Sequence, residues 1–208
     1  KTIIESYNPN IIINTAAITN VDFCEYNRRE SHEVNVNGLS NLIKFSNIKT
    51  KVIHFSSDFI YDGKKSKHNE KTLPNPLNYY GKTKLESENK LIGSNKPYLI
   101  LRISTLFSSR GNNFFKWVYD KLMKNEAINV VVDQIVNPSY VDYLSYIIQD
   151  LILLDATGIY NYGSIDSISK YDLAILISKI FKLDESLINK VNTEDLPFEA
   201  NRPKNNIL

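Results

Sequence analysis

Tyr80-Gly81-Lys82-Thr83-Lys84 sets a phenol and an ammonium four residues apart, and on a helix that spacing puts both on one face, within reach of a common ligand. The chemistry such a pair suits is proton donation to a carbonyl under reduction. As a hydride arrives at carbon, negative charge grows on oxygen, and a nearby acid must neutralise it. A free tyrosine, with a pKa of about 10, is a sluggish acid. An adjacent ammonium favours the phenolate, so Lys84 is expected to pull the Tyr80 pKa toward neutrality; it can also grip a ribose hydroxyl of a cofactor. A hydroxyl side chain would steady the carbonyl oxygen, and Ser57, in Ser56-Ser57-Asp58, is the candidate.

The spacing alone is a weak signal, because the chain has 13 tyrosines and a second such pair, Tyr61 with Lys65, also occurs. Tyr61 and Lys65 flank Asp62-Gly63, a turn in which helical register fails, whereas Tyr80 follows Pro76-Leu77-Asn78 and opens a run with helical spacing. Taken singly, Tyr80 and Lys84 read as a solvent-facing helix pair, Ser57 as a turn cap and Asp58 as an ordinary turn residue. The elements that carry them decide.

Short apolar bursts alternate with amphipathic stretches. Ile11-Ile12-Ile13 precedes a helical pattern from about Arg28 to Asn47, then come Lys51-Val52-Ile53-His54-Phe55, a helix at Tyr79 to Ile92, and a strand at Pro97 to Ile103. Runs with few polar breaks suit parallel strands buried on both faces. The pattern predicts an α/β fold: a Rossmann-like, doubly wound parallel sheet. Ser57 falls just past a strand end, at the carboxyl edge where such sheets bind ligands. Beyond Gly111 the spacing predicts a helix near Asn113 to Lys124, a strand at Ile128 to Val132, a helix from Ser139 to Leu154, a strand at Ile159 to Tyr162 and a helix at Ser169 to Phe181. Asp58 to Asn78 is a long polar, turn-forming segment, and a loop of that length inside a compact domain is usually functional.

Composition narrows the partners. The 208 residues carry a formal net charge of +2 with 23% charged residues, which gives no electrostatic case for nucleic acid. The longest apolar run, Ile147 to Leu154, falls short of the about 20 residues of a membrane span. One cysteine, Cys24, read as a small buried filler, and three scattered histidines fit a reducing, cytoplasmic setting and a site with no metal. His54, in an apolar strand, reads as a core histidine.

The runs Ser56-Ser57-Asp58-Phe59-Ile60-Tyr61-Asp62-Gly63 and Pro76-Leu77-Asn78-Tyr79-Tyr80-Gly81-Lys82-Thr83-Lys84-Leu85 resemble the extended short-chain dehydrogenase/reductases. Within them the chain is most similar to the dTDP-4-dehydrorhamnose reductase family, as Ile13 to Asp22, Leu101-Arg102-Ile103-Ser104, Asn112 to Phe115, Val132 to Pro138 and Asn201 to Asn205 also agree. The resemblance implies Tyr80 as proton donor, Lys84 as its partner and ribose ligand, Ser57 as the carbonyl-binding hydroxyl and Asp58 beside the sugar. It further implies that Thr15, Ala16 and Ala17 line NADPH or NADH, that Asn35 supports the site from a helix beneath it, that the substrate is a nucleotide sugar, and that a homodimer is an accessible assembly.

Two positions depart from the pattern. Thr105 stands where the family usually has a tryptophan facing the substrate. The seven glycines never show the close spacing of a dinucleotide phosphate cradle. The start of the chain resembles the strand just before the nicotinamide side, so an opening βαβ unit and more, roughly 50 residues, is expected ahead of it. Residues 1–135 are then a partial cofactor-binding domain and 136–208 mainly a substrate-binding lobe, itself cut short, with some return to the main sheet. The expected activity is NAD(P)H-dependent reduction of a sugar 4-ketone. A sugar-nucleotide epimerase or dehydratase of the same fold, and a non-catalytic subunit like the regulatory subunit of methionine adenosyltransferase, are the alternatives.

Overall fold

The structure is a computed structural model, which describes residues 1–65 and 67–208. Helix α1 (Thr2–Tyr7) leads into β1 (Ile11–Asn14), then α2 (Val21–Tyr26), α3 (Arg28–His32) and α4 (Gly38–Phe45), with a π-helical turn, Glu33–Asn37, between the last two. Strand β2 (Lys51–Ser57) ends in a 3-10 turn at Asp58–Ile60, and α5 (Tyr79–Ile92) and β3 (Tyr98–Ile103) follow. The second half contains β4 (Leu106–Phe107), α6 (Phe114–Met123), β5 (Ile128–Val131), β6 (Ile135–Val136), β7 (Ser139–Tyr140), α7 (Val141–Leu153), β8 (Gly158–Tyr162), β9 (Ile168–Ser169), α8 (Lys170–Phe181), β10 (Ile188–Val191) and β11 (Asn205–Asn206).

The main sheet has the order β1-β2-β3-β8, parallel throughout, as the unbroken apolar runs predict. Alternating residues of its strands feed two cores. Val52 and Ile100 pack with Leu39 and Leu91 on the α4 and α5 side, while Ile53, Leu99, Leu101 and Ile103 pack with Leu144 of α7 on the other. A separate core unites α6, α8, β5 and β10 through Val118, Leu122, Ile128, Val130, Ala174, Ile177 and Ile188. Three differences from the sequence reading matter. The expected helix from Arg28 to Asn47 carries the π-helical turn. The strand at Ile128 pairs with β10 outside the main sheet. Residues Ser139 and Tyr140 leave the expected helix to pair with β4, with the Ser139 N–H donating to the Thr105 carbonyl at 2.8 Å.

Candidate active site

Helix α5 starts where it does because Asn78 caps it, its Oδ1 accepting the Gly81 N–H at 2.9 Å, and because a Glu25 carboxylate oxygen of α2 accepts the Tyr79 N–H at 2.9 Å. Gly81 lets the helix come close to the Asp58–Ile60 turn; a Cβ there would overlap the Phe59 carbonyl oxygen. This close approach sets Tyr80 against the end of β2, its ring 5.8 Å from that of Phe59, edge to face. Ser57 and Tyr80 share one cavity wall. One turn on, Lys84 is 3% exposed and, among the described residues, makes no hydrogen bond or ion pair.

Asn35 ties the layers together from the π-helical turn. Its Oδ1 accepts the Ile18 N–H at 2.7 Å, and its Nδ2 donates to the Ile18 carbonyl and to Thr83 Oγ1, both at 3.0 Å. The loop after β1 is thereby clamped to α5 between Tyr80 and Lys84, the support that the sequence reading expected of it. Such π-helical turns are frequent at functional sites. At the head of the same loop, Asn14 Oδ1 accepts the Ala16 N–H at 3.2 Å, and Asn14 Nδ2 donates to His54 Nδ1 at 3.2 Å.

These elements enclose a cavity of about 550 Å³ at the carboxyl edge of the sheet. Thr15, Ala16, Ala17, Ser57, Asp58, Tyr80, Lys84 and Thr105 all line it, so the expected catalytic, cofactor and substrate residues share one surface, with Asn35 outside it. Ser104, Leu106, Asn112, Asn113, Val141 and Leu144 are also on the wall and were given no role by sequence reasoning. The carboxyl-edge argument that found Ser57, which the structure places as the last residue of β2, applies equally to Ser104 just after β3, and was the available signal.

The electrostatics correct one expectation. Burial pushes the Tyr80 phenol well above its ordinary value; the neighbouring Ser57 hydroxyl opposes this and the Asp58 carboxyl adds to it. Lys84 does not pull the phenol toward neutrality. It is itself desolvated, its ammonium brought down to about 8 by burial with Glu88 opposing. The i, i+4 spacing fixes a shared face and leaves the dielectric open, and here burial outweighs attraction. Tyr80 is accordingly held protonated, as a donor must be. Asp58, 3% exposed, is raised to about 6, chiefly by burial, with the Ser57 hydrogen bond, the nearby Ser104 hydroxyl and the charge of Lys170 opposing. His54 is a buried core histidine as expected, neutral because burial and then the Lys84 charge disfavour its protonation. Cys24 is fully buried.

The RmlD substrate binding domain family matches residues 1–208. The chain belongs to that family. It is 36% identical to dTDP-4-dehydrorhamnose reductase of Aggregatibacter actinomycetemcomitans, over 99% of this chain and 74% of that protein. The crystal structure of the Bacillus anthracis dTDP-4-dehydrorhamnose reductase in complex with NADP superposes with a TM-score of 0.95 at 31% identity, covering all of this chain and 74% of that one. Methionine adenosyltransferase 2 subunit beta of Bos taurus is 29% identical over 98% of this chain and 64% of its own length. The Rossmann-like fold and the family resemblance read from the motifs are thus both found.

A dinucleotide can be tested against the residues present. The small, accessible side chains of Thr15 and Ala16, the unpaired Lys84 ammonium and the Tyr80 phenol on one wall fit its ribose and nicotinamide half. No glycine cradle for its phosphates exists within the sequence.

Proposed function

We propose that the protein is an NAD(P)H-dependent reductase that converts the 4-keto group of a nucleotide-linked deoxysugar to an alcohol, the reaction class named for its dTDP-4-dehydrorhamnose reductase relatives. The observation that carries this reading is the meeting of Tyr80, Ser57 and an unpaired Lys84 on one wall of the cavity. The nicotinamide, when bound, supplies a hydride. The protein's part is to hold the ketone with its oxygen between Ser57 and Tyr80 and to deliver the phenol proton as charge builds on that oxygen. Lys84, already stripped of water, is placed to take the ribose hydroxyls, and Thr15, Ala16 and Ala17 to admit the cofactor's backbone-hugging approach. Asp58 and Thr105 line the sugar side. In this reading residues 1–135 do mainly cofactor work and 136–208 mainly substrate work, with β8 returned to the main sheet. The setting is cytosolic, in keeping with one buried cysteine, and the assembly a homodimer.

The test is oxidation of NADPH in the presence of a dTDP-4-keto-6-deoxy sugar, run beside Tyr80→Phe. We expect stoichiometric consumption, and a loss of about 10² or more in the variant, the usual worth of a general acid. Consumption within tenfold of the parent would remove Tyr80 from the role. Conversion without net NADPH loss would indicate an epimerase or dehydratase, which recycles its cofactor. The similarity to methionine adenosyltransferase 2 subunit beta favours a binding subunit as the second reading, and co-purification with a larger enzyme without turnover would support it.

A further inference from the structure

Two asparagines hold the loop that follows β1, and they stand on different bases. Asn35 grips Ile18 from the π-helical turn and is braced by Thr83 of α5. Asn14, the buried last residue of β1, takes the Ala16 N–H on Oδ1 and gives Nδ2 to His54 Nδ1, each at 3.2 Å. Ala16 and both its neighbours line the cavity, so whatever fixes the Asn14 amide also fixes that stretch of wall.

His54 lies opposite Asn14 in the parallel register of β1 and β2, with Ile100 of β3 on its other side. Alternation puts it on the face of β2 that carries Val52, which packs with Leu39, Leu91 and Ile100, and it is 1% exposed. Such a place suits an apolar side chain. The Ala16 N–H can only donate, which commits Asn14 Oδ1 to accept and Nδ2 to donate; Nδ1 is then the acceptor of the ring, and the imidazole proton sits on Nε2. Nε2 is buried and, among the described residues, has no hydrogen-bond partner. A buried N–H left unpaired works against folding, so the contribution of this ring lies at its other nitrogen.

We infer that His54 is a positioning residue for the cofactor wall: its unprotonated Nδ1 fixes the Asn14 amide, and through it the Ala16 N–H and the course of Thr15 to Ala17. The inference rests on the reading of those three residues as the surface that takes the nicotinamide half of a dinucleotide. With Nδ1 as acceptor the amide has one orientation, and the chain turns back on Asn14 as it leaves the sheet. An apolar residue at position 54 leaves Nδ2 buried with nothing to receive it and the amide free to turn. Oδ1 then no longer holds Ala16, and a cofactor has to order the loop as it binds. Tyr80 and Ser57 keep their own supports, the Asn78 cap and the Phe59 N–H, so the chemical step is spared.

Nitrogen-15 NMR of the ligand-free protein should place the His54 proton on Nε2, and the amide of Ala16, an exposed residue, should nonetheless exchange slowly. His54→Leu should melt no lower than the parent and should speed Ala16 exchange and raise KM for NADPH, each about tenfold, with kcat and KM for the ketone within about twofold. His54→Asn should reverse the order: its Oδ1 can stand in for Nδ1, so KM for NADPH should return to within about threefold of the parent, although a buried amide lowers the melting temperature. A side chain that only fills the core gives the opposite pattern, with affinity following stability. Asn14→Ala should raise KM for NADPH as far, and adding His54→Leu to it should raise it no further. A proton on Nδ1, an unmoved Ala16 amide in His54→Leu, a leucine variant that melts well below the parent, or a KM that tracks melting temperature overturns the proposal. A parent that consumes no NADPH overturns the reductase reading, while the tautomer and the Ala16 exchange, which need no turnover, still decide the hold of His54 on the loop.

Discussion

Lys84 and Glu88 sit one turn apart on the same buried face of α5, and their surroundings differ sharply. Glu88 meets Arg102 of β3 through Oε2···Nη2 at 2.7 Å and Oε1···Nε at 3.0 Å, with both side chains almost fully enclosed. Arg102 Nη1 goes on to Tyr61 Oη at 2.8 Å, and that hydroxyl donates to the Asn69 carbonyl at 3.0 Å. The ring of Tyr61 lies parallel to that of His68, 4.4 Å away, and the His68 N–H reaches the Ile207 carbonyl. The pair is thus the anchor of the long segment after Asp58 and of the chain's last residues. Lys84 has no such partner and opens onto the cavity. Where a buried charge is fully bonded it fixes a loop; where it is left open it awaits a ligand.

The largest expected effect breaks the first half of this comparison. Glu88→Ala leaves the Arg102 guanidinium buried and uncompensated, which should cost about 3–5 kcal/mol in urea unfolding. Replacing both partners, as Glu88→Leu with Arg102→Met, should recover much of that loss, since two apolar side chains need no counter-charge. A single-variant cost under about 1 kcal/mol would show that the pair is no anchor.

Lys84→Met probes the second half, with the opposite sign. A lysine whose folded value is about 8 against an ordinary 10.5 is destabilising when charged. Its stabilising contribution is present above the ordinary value and lost as pH falls through about 8. The variant should therefore be more stable than the parent at pH 7, by about 1–3 kcal/mol, with the gap closing as pH rises above 8, while reduction of the ketone collapses. Thermal melts at pH 7 and pH 9.5 check it; a parent that melts higher at pH 7 would mean Lys84 is satisfied inside the protein.

The contrast also marks where sequence reading reaches its limit. The ends of α5 were legible, because Asn78 is a cap and the run after it has helical spacing, and Ser57 was legible as the residue at a strand's carboxyl end. The pairing that separates Lys84 from Glu88 was not, since both are charged residues on one helix and only the fold supplies Arg102 to one of them. The same holds for the π-helical turn that aims Asn35, which leaves no periodicity signal, and for Gly81, whose need appears only once Phe59 lies against it.

A second ion pair gives the smallest effect and sharpens the comparison, because it is neither enclosed nor open to the cavity. Asp22 of α2 accepts from Arg202 Nη2 at 2.6 Å and Nη1 at 3.0 Å, and from the Glu199 and Ala200 N–H groups, with its side chain 30% exposed. It straps the C-terminal segment over the helix that starts at Val21, a residue of the cavity wall. Burial raises the Asp22 pKa, but the Arg202 and backbone bonds outweigh it and hold the carboxyl below its usual value. That lowered value makes its contribution present above the ordinary 3.8 and lost as pH falls through the folded value. Solvent and salt screen a pair at this exposure, so Asp22→Asn should cost no more than about 1 kcal/mol at pH 7, and the cost should shrink as pH falls below the ordinary 3.8. Its clearer signature should be kinetic: a strap loosened beside the cavity raises KM for the sugar nucleotide while leaving kcat near the parent's, because Tyr80 and Ser57 are untouched. A kcat loss as large as that of Tyr80→Phe would place Asp22 in the machinery of proton delivery and erase the distinction between charges that fasten the fold and the one that waits on a ligand.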